Sequence, residues 1–187
     1  MIEKRAENIM IPEEANYQRT MKRDVEPYLR SYEKDGYIES YDSTAIYYRT
    51  YRIPQAKAAI VISHGFCEFA EKYKEVIYYF LKNGYSVYVP EHRGHGYSDR
   101  IVVDGEKVHI EDYEQYVQDL HCFVKNVVEL TEKRKILFCH SMGGAIGVRY
   151  LEEFPLTFDA AILSAPMLGK GNEICCRTEW FFRKTIL

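Results

Sequence analysis

The sequence lacks any long hydrophobic run. No apolar stretch approaches the roughly 20 residues that a helix needs to cross a bilayer, and residues 1–14 carry charges where a signal peptide has an apolar segment. We therefore expect no stable membrane insertion and no secretion, and we assign the chain to the cytoplasm.

Cysteine is scarce and irregularly placed. The thiols belong to Cys67, Cys122, Cys139, Cys175 and Cys176, and this odd, unevenly spaced set argues against a disulfide framework. No Cys/His cluster has the spacing of zinc ligands. The net charge of −3 argues against a nucleic-acid-binding surface. We expect no metal, no cofactor and no nucleic-acid partner.

The chain divides into three parts by composition. Residues 1–35 are polar and mixed in charge, and we predict an N-terminal arm there, with a candidate short helix near 17–32. Residues 36–169 hold the apolar, regularly patterned segments, and a chain of 187 residues suffices for one domain. Residues 170–187 are interpreted as the start of a lid or as a truncated tail.

The middle part alternates between two kinds of pattern. Two β-prone runs around a polar turn predict a hairpin, and four continuous apolar runs are typical of parallel strands buried on both faces. Segments with helical spacing lie between these runs. The hairpin runs are 37–40 and 45–51, the apolar runs are 58–63, 85–90, 135–139 and 158–165, and the helical segments are 71–83, 111–131 and 142–154. The order predicts an α/β fold with a mostly parallel sheet and an N-terminal antiparallel hairpin.

Ser141 stands where a buried strand should run directly into a helix. The stretch from Cys139 through His140 to Gly143 matches the nucleophile-elbow pattern Gly-x-Ser-x-Gly, except that Cys139 replaces the first glycine. In such an elbow a strained turn exposes the serine hydroxyl above the sheet. We predict Ser141 as a nucleophile; the alternative is an ordinary serine that caps the next helix.

A second segment fits an oxyanion loop. His64, Gly65 and Phe66 follow the first predicted parallel strand, and Gly65 would let the backbone turn so that the Phe66 N–H faces a developing oxyanion. The Met142 N–H, directly after the serine, would be the second donor. We expect His64 only to brace this loop. The alternative is a structural turn that contains glycine.

Three motifs together carry a family resemblance. They are His64-Gly65-Phe66, Arg93-Gly94-His95-Gly96-Tyr97-Ser98 and His140-Ser141-Met142-Gly143-Gly144. In this order and spacing they resemble the monoglyceride lipase and lysophospholipase branch of the α/β hydrolases. Glu91 stands where that branch usually has Asp, and we expect the loop after it to be structural. A serine nucleophile argues against epoxide hydrolases and haloalkane dehalogenases, which use Asp.

The resemblance implies ester hydrolysis through an acyl-Ser141 intermediate, with a small lipid or ester as substrate. It also implies a triad acid and histidine further along the chain, and we expect the C-terminal half of the domain and the lid to be absent. None of the six histidines or Asp159 is a credible substitute. We therefore expect this chain alone to have little esterase activity.

Two other functions stay open. The apolar run 158–165 would form an open sheet edge that could pair with a partner chain, so the protein could be a non-catalytic remnant or an interaction module. A thioesterase or aminopeptidase would use the same triad on a different bond. The sequence does not identify the substrate, its acyl length or the oligomeric state.

Overall fold

A six-stranded mixed sheet forms the centre of the computed structural model, which describes residues 9–105, 107–170 and 173–174. The strands are β1 (Glu33–Glu39), β2 (Ala45–Tyr51), β3 (Ala59–Ser63), β4 (Ser86–Pro90), β5 (Lys135–His140) and β6 (Ala160–Ser164). They lie in the order β1-β2-β4-β3-β5-β6. Pairing is antiparallel from β1 to β2 and from β2 to β4, and parallel elsewhere. This architecture confirms the predicted fold.

Helices connect and flank the strands. Along the chain they are α1 (Tyr17–Thr20), α2 (Glu26–Arg30), α3 (Lys74–Lys82), α4 (Glu114–Phe123) and α5 (Met142–Glu153). A π-helical turn at Met21–Val25 joins α1 to α2, and another at Val124–Val128 extends α4. The three longer helices lie within the segments that helical spacing predicted.

The sheet is buried on both faces because the central residues of β3 and of its neighbours β4 and β5 are apolar on both sides of the sheet. On one face Val61 and Leu137 pack with Leu120 of α4 and Ile146 of α5. On the other face Ile60, Ile62 and Val87 pack with Ile77 and Leu81 of α3. This two-sided burial explains why the apolar runs in the sequence are continuous instead of alternating.

The N-terminal segment differs from the polar arm that composition suggested. Met21, Val25 and Leu29 recur every four residues, so they form one helical stripe, and all three are buried in the core on the α3 face. Strand β1 begins at Glu33, so the boundary expected after residue 35 falls inside a strand. Ile9, Met10 and Tyr17 are partly buried against the same cluster.

Strand β6 is the edge of the sheet in the described part of the chain, where it pairs only with β5. Ile162 in its centre is 45% exposed. Gly169–Lys170 and Glu173–Ile174 form a separate antiparallel pair, β7 and β8. The start of a lid or truncated tail that was expected over 170–187 lies outside the described residues, apart from Lys170, Glu173 and Ile174. Within those residues, no helix combines the length and the apolar character needed to traverse a bilayer.

Leu29→Ala tests whether the N-terminal helices belong to the core. Leu29 is 1% exposed, so we expect the free energy of unfolding to fall by about 2–5 kcal/mol in urea denaturation followed by circular dichroism. Leu130→Ala is the matched control because Leu130 is 77% exposed, and its effect should stay within about 0.5 kcal/mol. Equal, small effects of both changes would contradict the packing described here.

Candidate active site

Ser141 lies at the junction between β5 and α5 in a strained backbone conformation. Its φ is 52° and its ψ is −118°, a combination that non-glycine residues adopt only when the surroundings enforce it, at a cost on the order of 1–3 kcal/mol. Its side chain makes no capping hydrogen bond to α5. The alternative of a helix-capping serine is therefore not what the structure contains.

The backbone of Ser141 is fixed by the loop that follows β6. The Ser141 N–H donates to the Ser164 carbonyl at 3.1 Å, and the Ser141 carbonyl accepts from the Met167 N–H at 2.9 Å. These hydrogen bonds hold both polar groups of the strained residue. They account for how the turn is maintained.

Two glycines of α5 allow the helix to start close to the sheet. A Cβ on Gly143 would lie 2.1 Å from the Ser63 carbonyl oxygen, and one on Gly147 would lie 2.3 Å from the Cys139 Sγ. Cys139 is fully buried, and burial raises the pKa of its thiol. The cysteine in the first position of the elbow pattern is thus a neutral packing residue against Gly147.

The predicted oxyanion loop lies beside the serine. A Cβ placed on Gly65 would be 3.2 Å from the Ser141 Cβ. Among the hydrogen bonds between described residues, none uses the Phe66 N–H or the Met142 N–H as its donor. The loop and the elbow therefore lie next to each other, and no described residue accepts a hydrogen bond from either N–H group.

His64 braces the loop from inside the protein. It is fully buried, its Nδ1–H donates to the Gly65 carbonyl at 2.8 Å, and its Nε2 accepts from the His92 N–H at 2.9 Å. Burial lowers the pKa of His64 to about 3. A neutral imidazole with both nitrogens engaged holds the loop and takes no proton from Ser141.

His140 lies next to Ser141 in sequence, but its side chain is engaged elsewhere. Its Nδ1 lies 3.2 Å from the Ser164 carbonyl, and its Nε2 lies 4.0 Å from the Glu68 Oε1. Among the described residues, no hydrogen bond joins any histidine to the Ser141 hydroxyl.

The glycine-rich loop after β4 is a scaffold under the site. Glu91, with no exposed surface, accepts hydrogen bonds from the Ala70 and Tyr97 N–H groups. A Cβ on Gly96 would lie 1.9 Å from the Glu91 Oε2, so this position needs glycine. Arg93 forms a buried ion pair with Asp119 at 2.6 Å. The loop has the structural role expected of it.

Sequence reasoning missed one polar residue of the site. Glu68 accepts hydrogen bonds from the Gly65 N–H and the Tyr73 hydroxyl through its Oε2, and its other oxygen faces His140. A single glutamate in a loop belongs to no periodic pattern. Only its position three residues after Gly65 could have indicated a hydrogen bond to the loop backbone. No group of three or more His, Cys, Asp or Glu side chains in the described part could hold a metal ion.

With this geometry, comparison with known proteins defines the class. The family model described as serine aminopeptidase, S33 matches residues 54–186, so the chain belongs to that family of α/β hydrolases, in a branch similar to lysophospholipases and monoglyceride lipases. Lysophospholipase L2 of Escherichia coli K12 is 33% identical over 147 residues, which cover 78% of this chain and 42% of the relative. Monoglyceride lipase of Rattus norvegicus is 33% identical over 118 residues, which cover 63% and 37%.

Solved structures agree on the fold. A carboxyl esterase from Bacillus coagulans gives a TM-score of 0.60 at 23% identity, over 70% of this chain and 43% of that one. A CIB-like hydrolase from Thermoplasma acidophilum gives 0.59 at 20% identity, over 72% and 63%. The chain spans about two fifths of the length of the curated relatives named above.

Gly143→Ala tests the close approach of α5 to β3. The added methyl group would meet backbone oxygen at 2.1 Å, so we expect the free energy of unfolding to fall by about 1–3 kcal/mol or more in urea denaturation. Gly105→Ala is the control, because no atom lies within 4 Å of a Cβ at that position. Equal stability of the two variants would contradict the approach.

The buried histidines predict a loss of stability in weak acid. Burial lowers the pKa values of His64, His92 and His95 below the unfolded value of about 6.5. Their neutral forms therefore contribute fully above pH 6.5, and the contribution declines as pH falls because the unfolded chain binds protons that the folded chain does not. For His64, whose pKa is lowered to about 3, the loss should approach about 1.4 kcal/mol per pH unit. Urea denaturation at pH 6.5 and pH 5 measures this slope, and a flat profile would contradict it.

Proposed function

We propose that this chain supplies the nucleophile and oxyanion hole of a serine hydrolase that acts on carboxylic esters. The observation that carries the proposal is the strained backbone of Ser141 beside the oxyanion loop, together with a Ser141 side chain that makes no capping hydrogen bond to α5. The names of the relatives, lysophospholipase and monoglyceride lipase, favour a small lipid or other ester as the substrate. The proposed reaction is thus the transfer of an acyl group from the ester to Ser141 and then to water.

The proposed chemistry has two steps. The Ser141 Oγ attacks the ester carbonyl while a base takes its proton, and the C–O bond to the alcohol then breaks as the alcohol receives that proton. Water next attacks the acyl-Ser141 ester while the base takes a proton from it. The bond between the acyl carbon and the Ser141 Oγ then breaks, Oγ receives that proton and the carboxylic acid leaves. In both steps the negative charge on the carbonyl oxygen would be held by the N–H groups of Phe66 and Met142.

The base has to come from outside the histidines of this chain. Three of the six are buried in the loops under the site, and His140 is occupied by Ser164 and Glu68. His121 stacks on Phe154 with the ring centroids 3.8 Å apart, and His109 is exposed in the segment before α4. Loss of the base from a working triad costs on the order of 10⁶ in turnover. We therefore propose that the 187 residues alone turn over esters poorly.

A second candidate function rests on the edge strand β6. Its open side and the exposed Ile162 favour pairing with another chain, and such a module would need no catalysis. The description of the matching family also leaves an aminopeptidase as an alternative, since the same triad can hydrolyse amides and esters. Reactivity of Ser141 separates the hydrolases from the interaction module.

Labelling with a fluorophosphonate probe in the presence of imidazole tests the proposal. Imidazole can replace the missing base, so we expect it to accelerate phosphonylation at Ser141, located by mass spectrometry, and Ser141→Ala to abolish the reaction. Ser31→Ala removes an exposed serine and should leave labelling unchanged. A folded chain that stays unlabelled at Ser141 with imidazole would contradict the hydrolase and favour the interaction module.

A further inference from the structure

The peptide groups on either side of Gly65 differ in how they are hydrogen-bonded. The Gly65 N–H donates to the Glu68 Oε2 at 2.8 Å. The Gly65 carbonyl accepts from the His64 Nδ1–H at 2.8 Å and from the Glu68 N–H at 3.3 Å. Within the described residues the Phe66 N–H donates to nothing. Both polar groups of the Gly65 backbone are therefore hydrogen-bonded, whereas the next N–H, that of Phe66, has no acceptor among the described residues.

Glu68 connects the Gly65 loop to the core through one carboxylate oxygen. Its Oε2 accepts two hydrogen bonds, one from the Gly65 N–H and one from the Tyr73 hydroxyl at 2.6 Å. Tyr73 is buried, so the carboxylate is tied to the core at the start of the α3 region. This oxygen therefore links the Gly65 N–H, at the start of the turn Gly65–Glu68, to the core.

The charge of Glu68 suits this role. Partial burial alone would raise the pKa of Glu68, but the hydrogen bonds from Tyr73 and the Gly65 N–H outweigh burial and hold that pKa below its usual value. An ionised carboxylate only accepts hydrogen bonds, and those it accepts are stronger than bonds to neutral oxygen. At neutral pH the Glu68 carboxylate is therefore ionised and can accept both hydrogen bonds.

Space at the site is equally restricted. A Cβ on Gly65 would lie 2.8 Å from the Glu68 Oε2 and 3.2 Å from the Ser141 Cβ. The carboxylate and the serine thus confine the Gly65 backbone from two directions. The second oxygen, Oε1, lies 4.0 Å from the His140 Nε2 beside the elbow, so Glu68 contacts both segments that would form the oxyanion hole.

We propose that Glu68 is a positioning residue for the oxyanion hole: its carboxylate engages the Gly65 N–H and thereby directs the Phe66 N–H toward the carbonyl oxygen of a substrate at Ser141. The catalytic part of this inference rests on the proposed function. A merely structural Glu68 would stabilise the fold and leave the reactivity of a folded variant unchanged.

Two variants separate these roles, with a matched control. Glu68→Ala removes the acceptor, whereas Glu68→Gln keeps an oxygen that can accept from both Gly65 and Tyr73. Glu75→Ala is the control, because Glu75 also accepts a hydrogen bond from a tyrosine hydroxyl, that of Tyr79 on α3. Circular dichroism and urea denaturation identify the variants that are folded.

The first measurement is amide hydrogen exchange by NMR, which needs no catalysis. In the unchanged chain we expect the Gly65 amide to exchange slowly and the Phe66 amide quickly. Glu68→Ala should accelerate Gly65 exchange by roughly 10-fold or more, and Glu68→Gln should restore most of the protection. Unchanged Gly65 exchange in folded Glu68→Ala would overturn the proposal.

The second measurement is the rate of imidazole-assisted phosphonylation of Ser141. We expect a loss of roughly 10-fold or more in Glu68→Ala, recovery in Glu68→Gln and no change in Glu75→Ala. Equal rates in Glu68→Ala and the unchanged chain would overturn the positioning role even if Gly65 exchange increased. If the unchanged chain is not labelled, the proposed function fails. The exchange rates of the Gly65 and Phe66 amides then still decide whether Glu68 holds the conformation of the loop.

Discussion

The contact between the first turn of α5 and the end of β3 is the constraint on which the site depends. Gly143 lies so close to the Ser63 carbonyl that a Cβ there would be 2.1 Å from its oxygen. Strands β3 and β5 are adjacent and in parallel register, with Ser63 opposite Cys139. Because both strands end at the same edge, the residues after them meet there: Gly65 and Phe66 after β3, Ser141 and Met142 after β5. The strain at Ser141 is held by this approach and by the hydrogen bonds to the loop after β6.

The polar groups under the site serve to fix it. Buried, neutral His64 engages the Gly65 carbonyl and the His92 N–H. Glu91 accepts from the Tyr97 N–H of the glycine-rich loop and from the Ala70 N–H in the segment before α3. An unpaired buried polar group is costly, so these fully engaged side chains favour one loop conformation. Such preorganisation lets backbone N–H groups stabilise developing charge without rearrangement. We infer that the histidines near Ser141 support the loops and are not its bases.

The sheet, the longer helices and the strand-serine-helix turn could be predicted from the sequence because each has a local pattern. The apolar runs at β3 and β4 are continuous, and the strand-serine-helix order at Ser141 is visible in a few residues. A short helix was expected near 17–32, but its packing on the core was missed because Met21, Val25 and Leu29 are separated by charged residues that dominate the composition. Glu68 and the His64–His92 hydrogen bond were missed for another reason. They depend on the packing of loops that the sheet brings together, and residue spacing does not encode it.

The most direct test is a crystal structure of the chain with a phosphonate bound to the Ser141 Oγ. We expect a positive φ at Ser141 and a phosphonyl oxygen about 2.7–3.1 Å from the backbone nitrogens of both Phe66 and Met142. A phosphonyl oxygen that faces solvent, with either nitrogen hydrogen-bonded to another part of the protein, would contradict the central claim that this chain forms an oxyanion hole beside a nucleophilic serine.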